Sequence, residues 1–170
     1  MKILISLIFL GLVNVSSLLA QVNGLQNNSF EMKGSNYVLD HCKVANESYS
    51  NTSKFEIDLI CCGLKDSYNK PDSTSYSNFL FLSVFSKNIT DLAEGEYRYS
   101  STAYHLRDPM TFWGSILANN TRRNITDGKI NVVKIDDKIK VQFNLIIDHS
   151  VPVKGEYSGL YQFQDRKISN

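Results

Sequence analysis

The sequence predicts an all-β protein: a single antiparallel β-barrel or β-sandwich of about eight strands, behind a signal peptide. Two observations carry this. From about Tyr37 onward the chain is a succession of short runs rich in Tyr, Phe, Ile and Val, broken by polar clusters, and no window sustains a helical period. The clearest runs also alternate apolar and polar residues with a period of two, as a strand with one wet face does.

The first 20 residues read differently. Lys2 precedes an apolar run over residues 3–13 that only Ser6 and Gly11 interrupt; a more polar stretch, 14–17, then leads to Leu18, Leu19 and Ala20. This is the layout of a secretory signal peptide, and the run is well short of the roughly 20 residues a membrane-spanning helix needs. Cleavage after Ala20 leaves Gln21 first, with a cut after Ser17 as the alternative. No cysteine lies near the cut to accept a lipid. The expectation is an exported protein, periplasmic or extracellular, with no permanent membrane span. Residues 21–35 are expected to be a flexible segment and 36–165 one domain, about the size that builds one hydrophobic core.

Within that domain, residues 54–62 place Phe55, Ile57, Leu59 and Cys61 inward and Glu56 and Asp58 outward. Residues 65–77, with Pro71 and many Asp, Asn and Ser, form the clearest long loop. Residues 78–85 set Phe79, Phe81 and Phe85 against Leu80, Leu82 and Val84, a strand covered on both faces. A polar connection over 88–95 has room for one helical turn around Asp91 to Ala93. Strands follow at 95–104 and 111–118, separated by a turn at Arg107, Asp108 and Pro109. Residues 119–127 read as a polar loop. A hairpin joins 128–135 to 138–147 through Asp136 and Asp137, with Ile139, Val141, Phe143, Leu145 and Ile147 on one face. After a loop at 148–152, the strand 153–163 carries Gly155 and Gly159 on its inward side, which points to bends or close backbone approach.

Charge excludes one class of partner. The formal net charge is +1 and falls to near zero once Lys2 is removed, so the basic footprint of a nucleic-acid binder is missing. The basic residues Arg122, Arg123, Lys129, Lys134, Lys138 and Lys140 are interleaved with Asp127, Asp136 and Asp137, as on a solvated face.

Export permits disulfides, and the chain has Cys42, Cys61 and Cys62. Neighbours on a strand point to opposite faces, so only one of Cys61 and Cys62 can meet Cys42. A buried bridge uses Cys61 and a surface bridge uses Cys62, and three unbridged thiols are the third possibility. Cys42–Cys61 is the pair carried forward. The adjacent Cys61 and Cys62 lack the spacing of zinc ligands, and no metal or cofactor is expected.

The stretch from Gly128 to Val132, continued by Lys138 to Phe143 and by Val153 to Gly159 (Val-Lys-Gly-Glu-Tyr-Ser-Gly), resembles the C-terminal hairpin and last strand of small exported β-proteins of Bacteroidota. The likeness spans about the last 45 residues and is one of periodicity and glycines. It implies a β-barrel or β-sandwich in the cell envelope, and no activity. Many members carry a lipidated cysteine that this chain lacks.

Chemistry-bearing motifs are sparse. Asn-x-Ser/Thr occurs at Asn27, Asn46, Asn51, Asn88, Asn119 and Asn124, glycan acceptors in a eukaryotic secreted protein and unmodified in a bacterial one. His41 and His149 each follow an aspartate, but adjacent residues diverge where catalysis needs contact across the fold. With no nucleophile elbow, metal-binding His pair or phosphate loop, the reading is non-enzymatic. Aromatics are the richest feature: Tyr97, Tyr99, Phe112, Trp113, Tyr157 and Tyr161 are expected to line a site for a small apolar or sugar ligand. Simple packing is the competing account, since such residues favour strands anyway. The alternative function is a protein–protein interaction module of the envelope or extracellular space, acting through the polar loops 65–77 and 119–127.

Overall fold

The structure, a computed structural model, describes residues 28–49, 52–61, 78–102 and 108–167. The expected signal peptide, the long loop at 65–77, Cys62 and His105 lie outside this set. The described residues contain no helix. They form strands β1 (Ser29–Met32), β2 (Ser35–Val38), β3 (His41–Asn46), β4 (Lys54–Cys61), β5 (Asn78–Phe85), β6 (Gly95–Tyr99), β7 (Thr111–Ala118), β8 (Thr121–Ile135), β9 (Lys138–Ile147), β10 (Val151–Leu160) and β11 (Gln162–Asp165).

All eleven belong to one sheet, ordered β11-β3-β4-β5-β7-β6-β8-β9-β10-β1-β2. Its two ends are tied together by the chain. β2 runs into β3 through Leu39 and Asp40, and β10 runs into β11 through Tyr161 alone, so strands at one end of the order continue directly into strands at the other. Such links are short enough only if the sheet curls. Pairing is antiparallel except between β11 and β3 and between β6 and β7.

Curling puts one face of most strands into a common core. Phe55, Ile57 and Leu59 of β4, Leu80, Leu82 and Val84 of β5, Phe112 and Ile116 of β7, and Val141, Leu145 and Ile147 of β9 are each fully buried. Burying one such side chain is worth about 1.5–3 kcal/mol against leaving it exposed. The alternation read for β4 and β9 holds residue by residue, and β5 is covered on both faces: Ser83 and Phe85 on its outer side are buried as well.

The structure departs from the sequence reading at specific turns. Residues 29–35 leave the segment expected to be flexible, because Lys33 (φ 53°) and Gly34 (φ 76°) make a two-residue turn of the kind that joins twisted strands tightly. Phe30 then stacks on Tyr37, with ring centroids 4.8 Å apart. Asn119 and Asn120 (φ 51° and 58°) do the same between β7 and β8, which turns the expected polar loop over 119–127 into the start of a 15-residue strand. Its first half is polar because little of it faces the core; Ile125 is the buried exception, next to a bulge between Ile125 and Asp127. β8 pairs with β7 near its start and with β6 further on.

Around Asp91 to Ala93 there is no helical turn. Ser86 Oγ accepts the Ala93 N–H at 2.8 Å and donates to the Asp91 carbonyl at 3.2 Å, while Leu92 enters the core. The strand expected over 95–104 ends at Tyr99, and the one expected over 153–163 breaks at Tyr161. Gly155 confirms close approach: a Cβ there would overlap the Ser29 carbonyl oxygen and lie 2.7 Å from Phe143 Cζ. Gly155→Ala is expected to destabilise the protein by roughly 1–3 kcal/mol, the usual range for overpacking, measured by urea denaturation.

Candidate functional site

The six aromatics read from the sequence do not converge on one cavity. Tyr97, Phe112 and Tyr157 point inward and are buried. The Tyr97 hydroxyl donates to the Ala93 carbonyl at 2.6 Å and the Tyr157 hydroxyl to the Leu160 carbonyl at 2.7 Å. Burial, the main cause, pushes both phenols up to about 12. Tyr99 packs edge-on against Phe112, centroids 6.1 Å apart, and Tyr161 lies partly buried against the core. Trp113, one residue from Phe112, faces the other way. Removing a single buried hydrogen bond costs about 1 kcal/mol, so Tyr97→Phe is expected to lower stability by about that much in the same assay, leaving the fold intact.

Trp113 instead belongs to the outer face of β4, β5 and β7. The register sets Ser83 directly between Glu56 and Trp113, and Phe81 directly between Asp58 and Ser115. The Phe81 and Trp113 rings meet edge to face at 5.6 Å, and Phe79 continues the row 6.3 Å from Phe81. All three rings are half-buried, forming an aromatic strip across two strands. At the β8 side Arg122 Nε donates to Ser115 Oγ at 3.0 Å.

Two polar atoms beside the strip are out of balance. Asp58 Oδ1 and Ser83 Oγ are shielded from solvent, with no hydrogen-bond partner among the described residues. Leaving such a group unsatisfied costs about 1–3 kcal/mol. The Asp58 carboxyl is accordingly pushed up to about 7, first by burial and next by the charge of Glu56, with Arg166 and Lys43 opposing. The neighbouring charges are committed elsewhere: Lys54 Nζ bridges Glu47 at 2.7 Å and Glu56 at 3.3 Å, and Arg166 reaches the same two carboxylates at 3.4 and 3.8 Å.

A shallow, open cleft of about 360 Å³ lies on the outer face of β1, β2, β9 and β10. Glu31, Asn36, Gln142, Asn144, Lys154 and Glu156 line it. Glu156 is engaged by Gln142 at 3.1 Å and Lys140 at 3.4 Å. It is a wetted polar surface without an aromatic platform on its outer side.

The remaining motifs resolve structurally. Cys42 is a buried free thiol, so the expected Cys42–Cys61 bridge is not formed. Both residues are on the core face, but Cys42 stands opposite Leu59, which makes Cys61 its diagonal neighbour. Diagonal Cα atoms lie roughly 7–8 Å apart, beyond the usual disulfide span. Burial and, second, the charge of Asp58 raise the Cys42 thiol, which keeps it protonated. His41 and His149 are exposed, and Asp148 pairs with Arg123 at 2.6 Å. Asn46 is buried, its amide donating to the Ile89 carbonyl at 3.1 Å, which closes it to modification in the folded chain; Asn88, Asn119 and Asn124 are exposed.

Phe79, Phe81, Ser83 and Asp58 were absent from the sequence-based site. Phe79 and Phe81 showed as a pair on one strand face, the only available signal; that β7 pairs with β5 and so brings Trp113 to them is a long-range fact. Among the described residues no helix is long and apolar enough to cross a membrane. No protein-family model, curated protein or solved structure matches this chain.

Proposed function

We propose that this chain is an exported, non-enzymatic binding module, a small β-barrel that holds an apolar or sugar ligand against the outer strip of Phe79, Phe81 and Trp113. The observation that carries the reading is this half-buried aromatic row across the paired strands β5 and β7. A flat, rigid aromatic surface offers contact area with little side-chain entropy to lose on binding. The core is packed with the protein's own side chains, Tyr97 and Phe112 among them, so a ligand is accommodated outside. Export rests on the N-terminal pattern, and a non-enzymatic role on the sparseness of chemistry-bearing motifs in the sequence.

The interaction-module alternative has less support, since half of its basis, the 119–127 loop, is largely strand.

Trp113 is the chain's single tryptophan, so its fluorescence reports on the strip alone. The mature chain beginning at Gln21 is expected to change emission on titration with a ligand, and Phe81→Ala, which keeps the reporter, to weaken that response at least ten-fold. If no sugar and no apolar probe shifts the emission, the reading is wrong.

A further inference from the structure

We infer that the strip recognises a neutral sugar, with Ser83 and Asp58 supplying its polar contacts. This rests on the binding-module reading and assigns the ligand class of that same site.

The choice between an apolar and a hydroxyl-bearing ligand turns on the two oxygens. Ser83 sits directly beside Trp113, and Asp58 directly beside Phe81. Neither Ser83 Oγ nor Asp58 Oδ1 has a hydrogen-bond partner among the described residues. An apolar ligand laid over the rings leaves both unsatisfied. A sugar ring answers both needs: its C–H face packs on the indole and phenyl rings, and its rim hydroxyls donate to the carboxyl oxygen and exchange a hydrogen bond with the serine. Both oxygens lie beneath the surface, so the ligand reaches them through small side-chain shifts on binding, while the rings stay beneath the sugar as its platform. The hydrogen bonds gained there offset those shifts.

Charge on this face selects against ions. Lys43, Lys54, Arg122 and Arg166 share it with Glu47, Glu56 and Asp58, and the Lys54–Glu47–Glu56–Arg166 network pairs most of these charges internally. An anionic or cationic ligand therefore meets charges of both signs on this face, most of them already paired. A neutral polyol meets neither obstacle.

The test is fluorescence titration of the mature full chain with neutral soluble glucose-, mannose- and galactose-based oligosaccharides, and with the uncharged apolar probe N-phenyl-1-naphthylamine. The expected result is a shift of Trp113 emission with at least one oligosaccharide. Ser83→Ala and Asp58→Ala are each expected to raise Kd ten-fold or more, with the same far-UV circular dichroism as wild type. Asp58→Asn, which keeps an acceptor oxygen, restores part of the loss. Apolar probe binding with inert sugars leaves a binding module standing and overturns the sugar assignment. So does a sugar Kd that neither Ser83→Ala nor Asp58→Ala changes. If neither class of probe moves Trp113, the binding-module reading fails and this inference goes with it.

Discussion

Asp58→Asn is expected to stabilise the protein at pH 8 and to change little at pH 4. The folded-state carboxyl titrates at about 7 against an ordinary 3.8, chiefly because it is buried. A raised acid pKa means that the native state holds its proton where the unfolded chain has lost it. Below about 4 the proton is bound in both states and the group is neutral to stability. As pH climbs from there toward 7, the native state binds more protons than the unfolded one, so stability falls, and above 7 the loss is complete. A shift of this size corresponds to an upper limit on the order of 4 kcal/mol, of which about 2–4 kcal/mol is expected to be recovered by an uncharged amide of the same shape. Glu56, also raised mainly by burial, acts with the same sign from its own ordinary value of 4.5 upward. Glu47, lowered by its hydrogen bonds and charge contacts with Lys54 and Arg166 against an opposing burial effect, acts in the other direction and only on acidification past the ordinary glutamate range. The variant should therefore show a flatter stability curve than wild type between pH 4 and 8. Urea denaturation across that range decides it, and parallel curves would show that Asp58 does not titrate as the burial demands.

Phe112→Ala and Trp113→Ala, one residue apart, are expected to differ several-fold in cost. Phe112 is fully buried on the core face and touches Tyr99 edge-on; truncating it removes the transfer free energy of the ring and leaves a cavity, together about 3–5 kcal/mol. That is a large part of the 5–15 kcal/mol that holds an ordinary domain together, so this variant should unfold at a much lower urea concentration than wild type. Trp113 is half-buried on the outer face, over Ser83. Its removal opens no core cavity and exposes Ser83 Oγ to water, and a loss of about 1–2 kcal/mol is expected. Equal losses for the two would mean that the outer strip is structural, and the ligand reading would lose its support.

That contrast also shows what is legible in a sequence. A period of two tells which residues share a face within a strand, so Phe55, Ile57 and Leu59 against Glu56 and Asp58 were readable at once, as was the alternation over 138–147. The turns were harder. Lys33-Gly34 and Asn119-Asn120 each reverse the chain in two residues because both positions adopt positive φ, and a polar stretch such as 121–127 looks like loop until the turn before it is recognised. The separation of Phe112 from Trp113 followed from their adjacency, yet grouping both with Tyr97 and Tyr157 assumed a hollow interior that the packed core does not provide.

By itself the sequence determined an all-β chain, the inward faces of its clearest strands and the final hairpin, because each of these rests on local periodicity or composition. The tertiary structure decided which strands meet. Pairing β5 with β7 placed Phe81 against Trp113, pairing β4 with β5 placed Asp58 beside that row, and the curl of the sheet carried Arg166, far away in sequence, to Glu47 and Glu56. These contacts join residues dozens of positions apart, and their energies come from register and shared burial, which no local pattern encodes.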